Sequence, residues 1–263
     1  MRFGRLSRRS KALARSSIIG GGRPESEDPM TTNHSAGFGA ILLSSRSAAE
    51  YRAMFDLTEA DLARRILDCP GGAASFTAAI CGEGGDVTAC DIAYFDWAPN
   101  ELGALAVAEA ERGSDFVRAH PEQYRWTFFA DPDDHRRSRS ASAERFAADI
   151  RQHLHRYVAG ALPKLPFDND SFDLTLSSHL LFSYAEDLDY AFHLAAVREL
   201  MRVTRGEVRI FPLVAVGASQ PYARLNELIG ELETHGIAGS VVESSYEFQA
   251  GGNQMLVCRK SQQ

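Results

Sequence analysis

A chain of 263 residues can bury one full hydrophobic core and still carry an insertion or lid. With 44% hydrophobic and 24% charged residues it has the make-up of an ordinary globular protein, and no apolar run is long enough to span a bilayer. The net charge of −7 divides unevenly: residues 1–29 hold seven Arg or Lys against three Asp or Glu, which leaves −11 on the rest. So acidic a body argues against broad binding to nucleic-acid phosphates.

The basic start, "MRFGRLSRRSKALARSSIIGGGRPESEDP", has no apolar core of a secretory signal, and none follows its paired arginines. Residues 1–40 are read as a disordered basic extension, in preference to a targeting segment or a nucleic-acid arm. Met30 offers an alternative translation start. Cys69, Cys81, Cys90 and Cys258 show neither C-x-x-C nor zinc-ligand spacing. They are read as reduced thiols of a cytoplasmic protein without a metal site.

Residues 41–263 then read as one α/β domain. Ser47–Arg65 has apolar residues at helical intervals, with Thr58 placed to cap "EADLARR". "RILDC" is a buried strand, followed by Pro70-Gly71-Gly72 and the short helix "ASFTAAICGEGG"; "DVTACD" is the second strand. Strand, helix and strand in so short a span imply parallel pairing with a right-handed crossover. From about residue 92 to 155 the length exceeds one crossover helix. This is read as a helical insertion, two helices flanking the charged, mobile-looking loop "ADPDDHRRSRS", which forms either a lid or substrate wall or simply two extra packing helices.

"RYVAGAL" and "SFDLTLSSHLLF" are the third and fourth strands, the latter announced by "LPFDND". A periodic helix over Leu188–Arg205 stops at Gly206, and "EVRIFPLVAV" is the fifth strand. "YARLNELIGELETHG" is a last helix, and "SVVESSYEF" with "QMLVCRK" forms a closing hairpin. The sum is a Rossmann-like, open, seven-stranded and mostly parallel sheet with flanking helices.

Neither G-x-G-x-x-G nor a Walker phosphate loop is present at the glycine turn. The turn runs Asp68, Cys69, Pro70, Gly71, Gly72, Ala73, Ala74; Asp91 ends the next strand; and "LPFDNDSFD" precedes the fourth. In these features the chain resembles the class I S-adenosylmethionine-dependent methyltransferases over about residues 60–260. Gly72 falls on the middle glycine of the family's D-x-G-x-G-x-G, with Pro70 and Ala74 in place of the outer two. The resemblance implies S-adenosylmethionine as cofactor and S-adenosylhomocysteine as product. It implies cofactor contacts at Asp68, Pro70, Gly71 and Gly72, ribose binding by Asp91, and adenine packing on Ile92. Ala161 stands where the family has an acid at the adenine edge, which leaves that edge to backbone or to Leu162.

Ligands of open α/β sheets lie beyond the carboxyl ends of the strands, where Ser177, Ser178 and His179 also map. His179 is the candidate general base, since histidine titrates near neutrality. Tyr184, Tyr51, Phe55, Tyr94 and Trp97 are candidates for an aromatic wall, although such residues are commonly core. The Asn/Asp-Pro-Pro-aromatic motif of exocyclic-amine methylation of nucleic-acid bases and the Pro-Cys of cytosine-5 enzymes are absent. A small-molecule acceptor is left by elimination, with no membrane partner. The alternatives are a non-catalytic member that binds the cofactor or a protein, and a nucleic-acid methyltransferase using the basic start.

Overall fold

A computed structural model describes residues 42–261, so the expected extension over 1–40 and Met30 lie outside the described residues. The first helical stretch is two helices, α1 (Ala48–Met54) and α2 (Glu59–Leu62). Asp56 breaks them with a φ of 46°. Each begins with a reciprocal capping box, Ser47 with Glu50 and Thr58 with Asp61.

β1 (Arg65–Asp68), α3 (Phe76–Gly82) and β2 (Asp86–Asp91) form the expected parallel βαβ unit. The insertion follows as two 21-residue helices, α4 (Pro99–Ala119) and α5 (Pro132–Gln152). The stretch expected as a mobile loop is a correction: α5 starts at Pro132, inside it. Asp131 caps that start by accepting the Asp134 N–H at 2.7 Å, and Asp133 and Asp134 suit the positive end of the helix. The two helices lie antiparallel and close, because a Cβ at Gly103 would stand 2.9 Å from that of Ala147.

β3 (Tyr157–Ala159) is shorter than expected, since the chain turns at Ala161, which bridges to Lys164. β4 (Phe172–Ser178) ends before "HLLF" rather than including it. His179 takes a left-handed φ of 53° and donates its N–H to the Phe211 carbonyl at 2.7 Å. α6 (Tyr190–Val203) passes directly into β5 (Thr204–Phe211), so Gly206 lies within a strand and does not stop the helix. A side chain there would meet the Asp173 carbonyl at 2.2 Å, which is why glycine is needed. α7 (Leu225–Thr234) leads to β6 (Ile237–Glu243) and β7 (Gln254–Lys260). β6 thus starts earlier than expected, and "SSYEF" is connecting loop.

The sheet order is β3-β2-β1-β4-β5-β7-β6, parallel except at β7, which pairs antiparallel with both β5 and β6. Alternation along the strands feeds two cores: Leu67 joins one face with Val208 and Leu200, and Ile66 the other with Tyr51, Phe76 and Phe211. Each such buried side chain contributes about 1.5–3 kcal/mol. A third cluster joins the insertion to the sheet, with Phe146, Ala106 and Leu102 against Ala73 and Ala89. Chain order reverses between β1 and β4, which puts the switch point at Asp68 and Ser177.

Candidate functional site

The turn after β1 is tightly bound by the chain itself. Its Cys69–Pro70 peptide is cis, and Gly72 has a φ of 52°, a left-handed conformation that favours glycine. The Gly72 N–H donates to Asp91 Oδ2 at 2.8 Å, and the Ala93 N–H donates to Asp91 Oδ1 at 2.8 Å. Tyr94, on the 3-10 turn after β2, donates its hydroxyl to the Gly72 carbonyl at 2.7 Å. From the other side, Ser44 O accepts the Ala73 N–H at 3.0 Å and Arg46 O accepts the Ser75 N–H at 2.9 Å. Residues 42–47 therefore lie as a strap along the turn. A Cβ at Gly72 would stand 3.1 Å from Ser44 O, and one at Gly71 only 2.8 Å from the Ala89 Cβ.

Two polar atoms at the switch point lack partners. Asp68 is 1% exposed; its Oδ1 accepts the Tyr51 hydroxyl at 3.0 Å, while Oδ2 is buried and unbonded. Ser177 Oγ, on the neighbouring strand, is buried and unbonded as well. Burial holds the Asp68 carboxyl well above its ordinary range; the Tyr51 hydroxyl opposes that and the nearby Asp91 charge adds to it. Burial likewise raises Asp91, against the backbone N–H bonds it accepts.

Beyond the end of β4 a cavity of about 790 Å³, its open mouth included, lies between the strap, α4, α5 and the loop after β6. Arg46, His135, Arg139, His179 and Tyr184 line it, with Phe248 stacked on His135 at 4.9 Å. Its wall is a buried charge cluster. Glu50, fully buried on α1, forms an ion pair with Arg139 on α5 and accepts the Tyr246 hydroxyl at 3.0 Å and the Ser47 N–H at 3.0 Å. Burial would raise Glu50, but Arg139, Arg46 and Ser47 outweigh it and hold the carboxyl at about 2. Burial first, then the Arg139 charge, lowers His135 to about 3. Burial, followed by Arg46 and Arg139, pushes His179 down as well. Both imidazoles are therefore neutral at neutral pH.

The structure brings Asp68, Pro70, Gly71, Gly72 and Asp91 together at the ends of β1 and β2, with Ile92 half-buried beside them. Ser178 and His179 are joined by a 2.8 Å hydrogen bond between Oγ and Nδ1. Ala161 is half-buried in the turn after β3, and Leu162 is buried in the cluster that holds Cys90 and Leu165. Of the candidate wall aromatics, Tyr51 and Phe55 are core, Tyr94 packs on Phe146 and Tyr157, and Trp97 is exposed. Only Tyr184 of these lines the cavity. Sequence reading missed Arg46, Glu50, His135 and Arg139. A signal existed on α5, where His135, Arg139, Ser142, Phe146 and Ile150 fall on one buried helical face.

No family model matches the chain. It is 29% identical over 224 residues to an uncharacterized protein of Methanocaldococcus jannaschii, covering 83% of this chain and 96% of that one. Among solved structures it is similar to the 1,6-didemethyltoxoflavin-N1-methyltransferase of Burkholderia thailandensis, which holds S-adenosylhomocysteine and 1,6-didemethyltoxoflavin. That match has 16% identity and a TM-score of 0.41 and covers 82% of this chain and 76% of that one. A SAM-dependent methyltransferase of Aquifex aeolicus is similar at 17% identity and a TM-score of 0.41, over 81% and 88% of the two chains. The magnesium protoporphyrin IX methyltransferase of Synechocystis, with bound SAM, is similar at 12% identity and a TM-score of 0.42, over 81% and 77%. Likenesses of this size assign no activity to the chain. Among the described residues, no helix is long and apolar enough to cross a membrane.

Proposed function

We propose that the chain binds S-adenosylmethionine at the ends of β1 and β2 and transfers its methyl group to a small-molecule acceptor. The observation that carries this is the pair of buried carboxylates, Asp68 and Asp91, flanking a glycine turn at the switch in strand order, with Asp68 Oδ2 and Ser177 Oγ unbonded. These polar atoms fit the cofactor. Asp91 retains lone pairs for ribose hydroxyls beyond its two N–H bonds, and Asp68 Oδ2 suits an ammonium. The face of the turn fits only after the strap lifts, at the cost of its bonds to Ala73 and Ser75.

When bound, the cofactor supplies a sulfonium methyl group open to in-line displacement. The chain's own residues align the acceptor and exclude water. In the tautomer whose Nδ1–H donates to Ser178 Oγ, His179 keeps Nε2 as an acceptor. Held neutral by burial, it takes up a proton weakly, so it serves an acceptor whose own proton is acidic.

A second reading, a non-catalytic member of the fold, is favoured by one observation: the strap and Tyr94 already occupy the groove that a cofactor would line. Calorimetry with S-adenosylmethionine and S-adenosylhomocysteine separates the two. Saturable binding that weakens by about 1 kcal/mol in a folded Asp91→Ala variant is the expected result. No binding to the intact protein overturns the cofactor reading; binding without any methylated product in a metabolite extract supports the second.

A further inference from the structure

The cavity beyond β4 holds more positive charge than it can neutralise. Two guanidinium groups, Arg46 and Arg139, line it, and a single buried carboxylate, Glu50, faces them. Arg139 takes that carboxylate as its ion-pair partner. Glu109 on the α4 side of the cavity is engaged by Arg112 at 2.7 Å. Among the described residues, Arg46 has no ion pair: one of its nitrogens donates to Ser44 Oγ at 2.7 Å, and its Nε is buried and unbonded. His135, 2% exposed and lining the same cavity, has its Nδ1 buried and unbonded too. Arg46 is half-buried, a cation removed in part from water without an ion pair is costly, and a guanidinium with an unbonded N–H matches the fork of a carboxylate or phosphate. The rest of the lining sets an apolar and aromatic side, with Val117, Val216, Tyr124 and Phe248, beside the polar Ser183, Gln249 and the serines of the strap.

We infer that this cavity binds an anionic small molecule with an apolar or aromatic body, its carboxylate or phosphate paired with Arg46 and its body against Phe248 and Tyr124. None of Asp68, Gly71, Gly72, Asp91 and Ile92 lines the cavity, which sets it apart from the glycine turn. Naming the anion as the methyl acceptor rests on the proposed function; its binding does not.

Benzoate and phenyl phosphate are the probes, with benzyl alcohol as the neutral counterpart, titrated calorimetrically into the full chain. Wild-type protein is expected to bind at least one anion saturably and benzyl alcohol at least tenfold more weakly. Arg46→Met should lose tenfold or more, and Arg46→Lys should recover part of it. Benzyl alcohol binding as well as benzoate overturns the inference without any variant, as does failure of both anions to bind or unchanged affinity in folded Arg46→Met. S-adenosylhomocysteine separates the two sources of a carboxylate. Probe binding that persists at saturating S-adenosylhomocysteine places the anion in its own site, whereas complete competitive displacement assigns Arg46 to the cofactor and overturns the acceptor assignment. If the probes bind and S-adenosylhomocysteine does not, the proposed function fails and the anion site stands.

Discussion

The glycine turn and the cavity beyond β4 sit side by side at one end of the sheet, yet they are built in opposite ways. At the turn, the chain satisfies its own backbone: Asp91, Tyr94 and Ser44 bond the N–H and carbonyl of Gly72 and the N–H of Ala73. The side-chain atoms Asp68 Oδ2 and Ser177 Oγ at its edge stay unbonded. In the cavity wall, Arg46 and His135 keep one buried nitrogen each unbonded. A glycine signature records close approach of something to the backbone, and here that something is the chain's own strap. Unspent hydrogen-bonding capacity is the better guide to where a ligand gains affinity.

The largest effect is expected in the cavity wall. Glu50→Gln leaves the buried Arg139 and the half-buried Arg46 without a carboxylate, and denaturant unfolding should show a loss of about 3–5 kcal/mol. A loss no greater than that of a surface substitution would mean that the wall tolerates its charges unpaired, and the contrast with the turn would collapse.

Acid should come next. His135 has a folded pKa of about 3, below the ordinary 6.5, so the unfolded chain takes up the proton first. Its contribution is complete above pH 6.5 and is lost as the pH falls towards 3. Between pH 6.5 and 4.5 this amounts to about 2–3 kcal/mol. Glu50, lowered to about 2 from an ordinary 4.5, contributes fully above 4.5 and is lost only below that. Unfolding measured from pH 7 to 4 should therefore decline, and His135→Gln should flatten the decline by about one proton. An unchanged slope would mean that the imidazole is hydrated and outside the buried wall.

The smallest effect belongs to the turn. Tyr94→Phe removes one hydroxyl from the Gly72 carbonyl, which should cost about 1 kcal/mol of stability by thermal or denaturant unfolding. A neutral result would show that water satisfies the carbonyl and that the turn is less enclosed than its bonds suggest.

The sheet was legible because buried parallel strands such as Ile66–Asp68 and Leu174–Ser178 read as short apolar runs separated by caps and glycines. The ends of elements were less so. Gly206 looks like a helix stop, but it answers to the Asp173 carbonyl on a neighbouring strand, a contact no local pattern records. The glycine turn could be located, though not what packs on it. The cavity was hidden for a different reason. Arg139 and His135 lie in a run of charged residues that hydrophobicity assigns to solvent, and Glu50, from 89 positions earlier, makes Arg139 buriable. Pairing across the chain reverses the meaning of a charge, and only the fold supplies the partner.

The strap ties the two sites together. Ser47 is fixed by the N-terminus of α1 and by Glu50, and Ser45 and Arg46 are bonded to Arg139 and Ser142 of α5. Ser44 rests on the glycine turn, and the Arg46 side chain reaches the cavity. A ligand that displaced Ser44 from the turn would strain the backbone that carries Arg46, two residues on. Occupants of the turn and of the cavity would then exchange free energy through two residues of backbone, and whatever one does to the affinity of the other is returned in equal measure.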